Sequence, residues 1–241
     1  MKRISALAAA VVMTFSVMTA CADTSSSQSS NSSGSSTSSA SSASSAAAGE
    51  SSNASGGSSN ASQKSSDILV AYFTAAENGE DDVISSASKA NFNGREMGNA
   101  AVLATIISEK TGGDLFSIKT VKDYPLDYDE LVDHAKQEQK DGELPELETS
   151  VDVSAYKTVY VVYPVWWYTM PQAIYSFLDK YDLSGKTLIP VTTHEGSSMA
   201  DSVDKFKSLE PNAQVKDGYS VRGGSVSSAK EELEKWIDEQ G

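Results

Sequence analysis

The amino-acid sequence predicts a three-layer α/β domain on a doubly wound parallel sheet, preceded by an export signal and an unstructured tether. Three observations predict it. Apolar runs of strand length recur, too continuous for a sheet with one face in water. Helical stretches alternate with them, and strict alternation implies right-handed crossovers. Glycine and proline stand at several of the junctions. Five strands and about five helices fit the order 2-1-3-4-5.

Residues 68–73 (Ile-Leu-Val-Ala-Tyr-Phe) form the first buried strand. Residues 99–110 place Val102, Leu103, Ile106 and Ile107 on one helical stripe, and Gly112-Gly113 stops that helix. Residues 115–118 are a short edge-strand candidate, and 128–140 read as a mostly polar, shallowly packed helix. Residues 158–163 are the next buried strand, and the helix 171–181 opens on Pro171 and buries Ile174, Phe177 and Leu178. In the run 187–193, Pro190 signals a bulge or a gap in the ladder. A helix over 198–209 and an edge strand over 215–221 follow. The last helix, 227–239, sets Leu233, Trp236 and Ile237 beneath an acidic outer face.

The amino-terminal end reads differently. Lys2 and Arg3 precede a short apolar run and small residues, the pattern of a signal peptide over 1–20, too short for a permanent membrane span. Cys21 is the only cysteine, so no disulfide can form within the chain. Its surroundings resemble a bacterial lipobox, which implies lipidation at Cys21 and an anchor on the extracytoplasmic face of the membrane. An ordinary cleaved signal with an incidental cysteine is the alternative. Residues 24–66 are almost entirely Ser, Ala, Asn, Gly and Thr, with no apolar face to offset the entropy of ordering. The segment 21–66 is therefore a tether with a reach of roughly 35–40 Å, and 67–241 is the folded domain.

The chain carries 19 basic and 33 acidic residues. Only Lys2, Arg3, Lys64, Asp23 and Glu50 precede the domain, which leaves it near −15. Such a domain is a poor partner for nucleic acid or anionic lipid. The sequence holds no Gly-x-Ser-x-Gly elbow and no Cys/His cluster for zinc.

In doubly wound sheets ligands bind beyond the carboxyl ends of the strands, so the loops after the first, third and fourth strands are the ones to read. The third loop is Pro164-Val165-Trp166-Trp167-Tyr168. Adjacent Trp rings at a ligand edge call for a flat partner, unless one caps the core and the other packs on the following helix. The fourth loop contains Thr193, His194, Glu195, Gly196 and Ser197, with Ser197 or Ser198 as a helix cap. His194 fits either a proton-moving role or a hydrogen bond within its loop. It is the sole catalytic candidate. His134 reads as a surface residue.

The blocks Tyr-Pro-Val-Trp-Trp-Tyr-Thr-Met-Pro (163–171), Thr-His-Glu-Gly-Ser-Ser (193–198) and the opening strand resemble the flavodoxin family of anaerobic and gut bacteria, over nearly all of 68–237. That resemblance implies a flavodoxin-like fold, an FMN cofactor and redox partners, either proteins or small molecules. It places the phosphate at Thr74 and at Gly98-Asn99-Ala100, after an insertion over 75–97. Where the family has Gly-Asn-Thr, this chain has alanine at position 100, one hydroxyl fewer. It puts the flavin's pyrimidine edge at the fourth loop. An electron carrier is the leading expectation. An FMN-dependent NAD(P)H or quinone-type oxidoreductase and a flavin-free binding domain are the alternatives.

Overall fold

A computed structural model describes residues 66–75, 88–125 and 127–240. The expected signal peptide, Cys21, nearly all of the tether and most of the insertion lie outside the described residues.

The sheet runs β4-β1-β5-β6-β7, with β8 also paired to β6, and every pairing in it is parallel. Its centre is β1 (Ile68–Tyr72), β5 (Thr158–Pro164) and β6 (Thr187–His194). β4 (Asp114–Ser117) forms one edge. β7 (Gln214–Val215) and β8 (Tyr219–Arg222) share the other. Counting these two as one interrupted strand gives the order 2-1-3-4-5, the flavodoxin-like arrangement expected from the sequence.

Strand alternation assigns the two faces. Val159, Val161 and Tyr163 point to one core with Phe73, Ile174, Phe177 and Phe206, while Tyr160 and Val162 point to the other with Val102, Ile106 and Leu233. The first core is covered by α2 (Tyr128–Asp141), α3 (Gln172–Lys180) and α4 (Ser202–Leu209), the second by α1 (Asn99–Thr111) and α5 (Lys230–Gln240). Burying each of the fully enclosed side chains Phe73, Phe177 and Phe206 contributes about 1.5–3 kcal/mol.

Local chemistry accounts for the boundaries. Gly112 and Gly142 end α1 and α2 in the left-handed conformation. The Asp127 carboxylate caps α2 by accepting from the N–H groups of Asp129 and Glu130. The helix expected over 198–209 begins only at Ser202, because Ser198 (φ 52°) and Ala200 (φ 47°) are left-handed and cannot continue a right-handed helix. Ser198 therefore bonds Ser220 Oγ at 3.0 Å instead of capping α4. Ser197 does not cap it either, since the cap position belongs to Asp201.

The strand expected over 215–221 is broken, and Pro190 shows why. Leu188 accepts from Lys216 N–H at 2.9 Å. Two residues on, the same neighbour would need an N–H from position 190, and proline has none. Gly218 fills the break at φ 78°, so close that a Cβ there would stand 2.2 Å from the Pro190 carbonyl oxygen. The insertion also contains an unforeseen hairpin, β2 (Lys89–Phe92) and β3 (Arg95–Gly98), joined by Asn93-Gly94 with positive φ at both residues.

Candidate functional site

A cleft of about 240 Å³ opens where the carboxyl ends of β1, β5 and β6 meet. Thr74 and Ala75 come from the first loop, Pro164 to Trp167 from the third, and Thr193 to Glu195 from the fourth. Asn99 and Ala100 bring the first turn of α1 to its floor. Ten of the expected site residues thus line one cavity. Gly98, Tyr168, Gly196 and Ser197 do not.

Two of those four act from behind. A Cβ on Gly98 would come within 2.8 Å of Thr74, so only glycine lets that threonine close on the start of α1. Gly196 (φ 134°) turns its N–H onto His194 Nδ1 at 2.8 Å. Tyr168 is 76% exposed and does not line the cleft.

The first turn of α1 carries no acidic residue. Asn99 N–H donates to the Ser88 carbonyl at 2.8 Å, and the helix dipole directs partial positive charge at the cleft floor. Ser88 itself lines the cavity. Ala100 lines the same cavity. Ser88 lies within the insertion over 75–97, which hid it from a reading by spacing.

The wall opposite is α2. Tyr128, Leu131, Val132 and Ala135 line the cleft, a helical i, i+3, i+4, i+7 stripe. That stripe is present in the sequence, but its place as a cleft wall shows only once α2 is placed.

The two tryptophans divide their roles. Trp166 packs edge-on against Phe73 and Tyr124, with ring centroids 5.4 Å apart in both cases. Trp167 donates Nε1–H to the Val132 carbonyl at 3.0 Å, and Lys136 lies over its ring at 4.8 Å. One ring caps the core; the other pins α2, the preceding helix. Both still contribute to the cleft. Trp166 and Thr169 exchange backbone hydrogen bonds of 3.0 Å, with Trp167 (φ 48°) and Tyr168 (φ 63°) at the centre of the turn. Bulky side chains in that conformation store strain of order 1–3 kcal/mol each.

Behind Trp166, the buried Glu138 carboxylate accepts from Tyr124 O–H at 3.1 Å. Burial pushes Glu138 up to about 7, against the lowering effect of the Tyr124 bond. Burial also raises Tyr124. His134 is exposed on α2, as expected, with its ring 4.0 Å from Glu138 and edge-on to Tyr124. At the fourth loop, partial burial lowers His194, Glu195 raises it, and Arg222 lowers it. Arg222 Nε donates to Glu195 at 3.2 Å. Thr193 is 1% exposed, and its hydroxyl has no hydrogen-bond partner among the described residues. Among those residues no cluster of His, Cys, Asp or Glu is arranged to hold a metal ion.

A doubly wound parallel sheet with a cleft at its carboxyl edge has the arrangement in which open α/β domains bind their ligands. A profile of the flavodoxin family matches residues 89–240, and the chain belongs to that family. Among solved structures it is similar to a candidate flavoprotein from Bacteroides uniformis, at 26% identity and TM-score 0.56, over 73% of this chain and 99% of that one. A second candidate flavoprotein, from Bacteroides eggerthii, gives 26% identity and TM-score 0.55 over 71% and 95%. A flavoprotein from Lactobacillus acidophilus, solved in complex with FMN, gives 19% identity and TM-score 0.49 over 70% and 97%. No curated protein matches the chain.

Proposed function

We propose that the domain binds FMN in this cleft and serves as an electron-transfer protein held at the membrane surface. The observation that carries the reading is the convergence of a helix N-terminus, apolar walls and a buried, unpartnered Thr193 hydroxyl in one cavity of a flavodoxin-family chain. The residues fit the group. Thr74, Ser88 and the N–H groups that follow Asn99 in the first turn of α1 would hold the phosphate. Trp166, Trp167 and the α2 stripe would enclose the ring, and Thr193, His194 and Glu195 would meet its polar edge. Bound FMN would supply reversible electron transfer; the chain's part is to bind it, shield it from water and set its electrostatics.

Cys21 carries the lipid in this proposal, and the tether gives the domain its reach. Redox partners that dock on so acidic a domain should present basic surfaces. The test is the visible spectrum of the purified full chain after incubation with FMN and desalting, followed by anaerobic NADPH. Flavin bands that survive desalting and are not bleached support the carrier. Bleaching by NADPH alone would make the protein an FMN-dependent oxidoreductase, and a colourless protein would leave a flavin-free binding domain.

A further inference from the structure

The loop that ends β6 fixes more than the position of His194. The Gly196 N–H donates to His194 Nδ1 at 2.8 Å, an i to i+2 contact like those that Asn and Asp oxygens make in tight turns. A backbone N–H can only donate, so Nδ1 must present a lone pair and carry no proton. A neutral imidazole with a bare Nδ1 has its proton on Nε2. Gly196 stands at φ 134°, a backbone conformation that side chains rarely adopt, so the donor is aimed by a glycine-specific turn. Protonating Nδ1 would set two N–H groups against each other. Burial and Arg222 act in the same direction, keeping the ring neutral, while Glu195 opposes them and is itself tied to Arg222.

His194 lines the cleft next to the buried Thr193 hydroxyl. Resting on the reading that this cleft takes FMN, we propose that His194 is a fixed hydrogen-bond donor, locked as the Nε2–H tautomer, that recognises an acceptor atom on a planar heterocycle. The acceptor class is a ring carbonyl oxygen or an imine nitrogen. His194 is then a binding residue and moves no proton at neutral pH.

The experiment is nitrogen NMR on the full chain labelled with 15N-histidine. The chain has only two histidines, so His134→Gln assigns the signals. At pH 7 without FMN, His194 should show a protonated Nε2 and a bare Nδ1, and should titrate below the ordinary histidine value of about 6.5. Gly196→Ala should raise that midpoint and mix the tautomers; should that variant fail to fold, the wild-type spectrum decides alone. FMN titrations by flavin fluorescence give the second readout. His194→Gln, which keeps an N–H donor, should bind within about threefold of wild type, and His194→Leu roughly tenfold more weakly. An Nδ1–H or doubly protonated ring at pH 7 overturns the proposal even if FMN binds. Equal affinities for the Gln and Leu variants overturn the donor role. The expected tautomer in a protein that binds no FMN sinks the flavin reading and supports the locked imidazole.

Discussion

Thr193 and Ala100 place opposite chemical faults at the two ends of the cleft. Thr193 holds a hydroxyl with no partner among the described residues, and a buried hydroxyl left unbonded costs about 1–3 kcal/mol. Thr193→Val should therefore raise the stability of the FMN-free protein by about 1 kcal/mol while weakening FMN binding, as read by urea denaturation and flavin fluorescence. A loss of stability together with unchanged affinity would place that hydroxyl outside the site. At the other end, Ala100→Thr restores a donor beside a charged group, which is worth about 1.5–3 kcal/mol, or ten- to a hundredfold in affinity. No tightening would mean that the phosphate does not lie at the start of α1, or that Ser88 already supplies the bond. Glu138 makes the third case. Burial raises its pKa from the ordinary value of 4.5 to about 7 in the folded chain. The folded state therefore holds this proton more tightly than the unfolded one. The stability this contributes is fully present below pH 4.5 and is lost as the pH rises through about 7, on the order of 3 kcal/mol in all. Glu138→Gln, whose amide oxygen can still accept from Tyr124, should flatten that slope in urea titrations at pH 5 and pH 8. Equal pH dependence in the two proteins would show that Glu138 ionises freely.

At the scale of elements, α2 and the turn after β5 form one mechanical unit. The helix is mostly polar and buries only Leu131, Ala135 and Glu138. What docks it is Trp167, through the Val132 carbonyl and the Lys136 contact, in a turn that sets two bulky residues at positive φ. Relieving half of that strain with Tyr168→Gly should stabilise the FMN-free protein by about 1 kcal/mol, a rise of roughly 2–4 °C in Tm for a domain of this size. A lower Tm would show that the Tyr168 side chain contributes more than its backbone costs. This unit also marks where sequence reasoning stops. The strands β1, β5 and β6 and the helices α1 and α3 were legible, because buried parallel strands and amphipathic stripes write themselves as apolar patterns. So was the edge of the sheet that carries the cleft. The break between β7 and β8 was foreshadowed by Pro190, and the hairpin by Asn93-Gly94, yet both depend on pairings that a one-dimensional pattern does not record. The division of labour between Trp166 and Trp167 depends on tertiary placement of α2. So does the inclusion of Ser88, Tyr128 and Val132 in the cleft.

For the whole molecule, charge and the proposed lipid anchor bear on where such a domain can work. The chain has a net charge of −14, so an anionic bilayer surface repels it. No helix among the described residues is long and apolar enough to cross a membrane. In the proposed reading, retention at a membrane rests on acyl chains at Cys21. One chain gives only marginal, reversible binding, whereas two hold stably, and a diacylated cysteine supplies two. The two sources of attachment differ in their response to salt. Electrostatic adsorption is screened within about a Debye length, roughly 3 Å at 1 M, while acyl insertion is not. Wild-type protein expressed in a bacterium should stay in the membrane fraction through a high-salt wash, and Cys21→Ser should move to the soluble fraction with its fold unchanged. If the serine variant stays with the membrane, the anchor is not at Cys21. If salt strips the wild type, the attachment is ionic, and a basic partner at the membrane surface takes the place of the lipid.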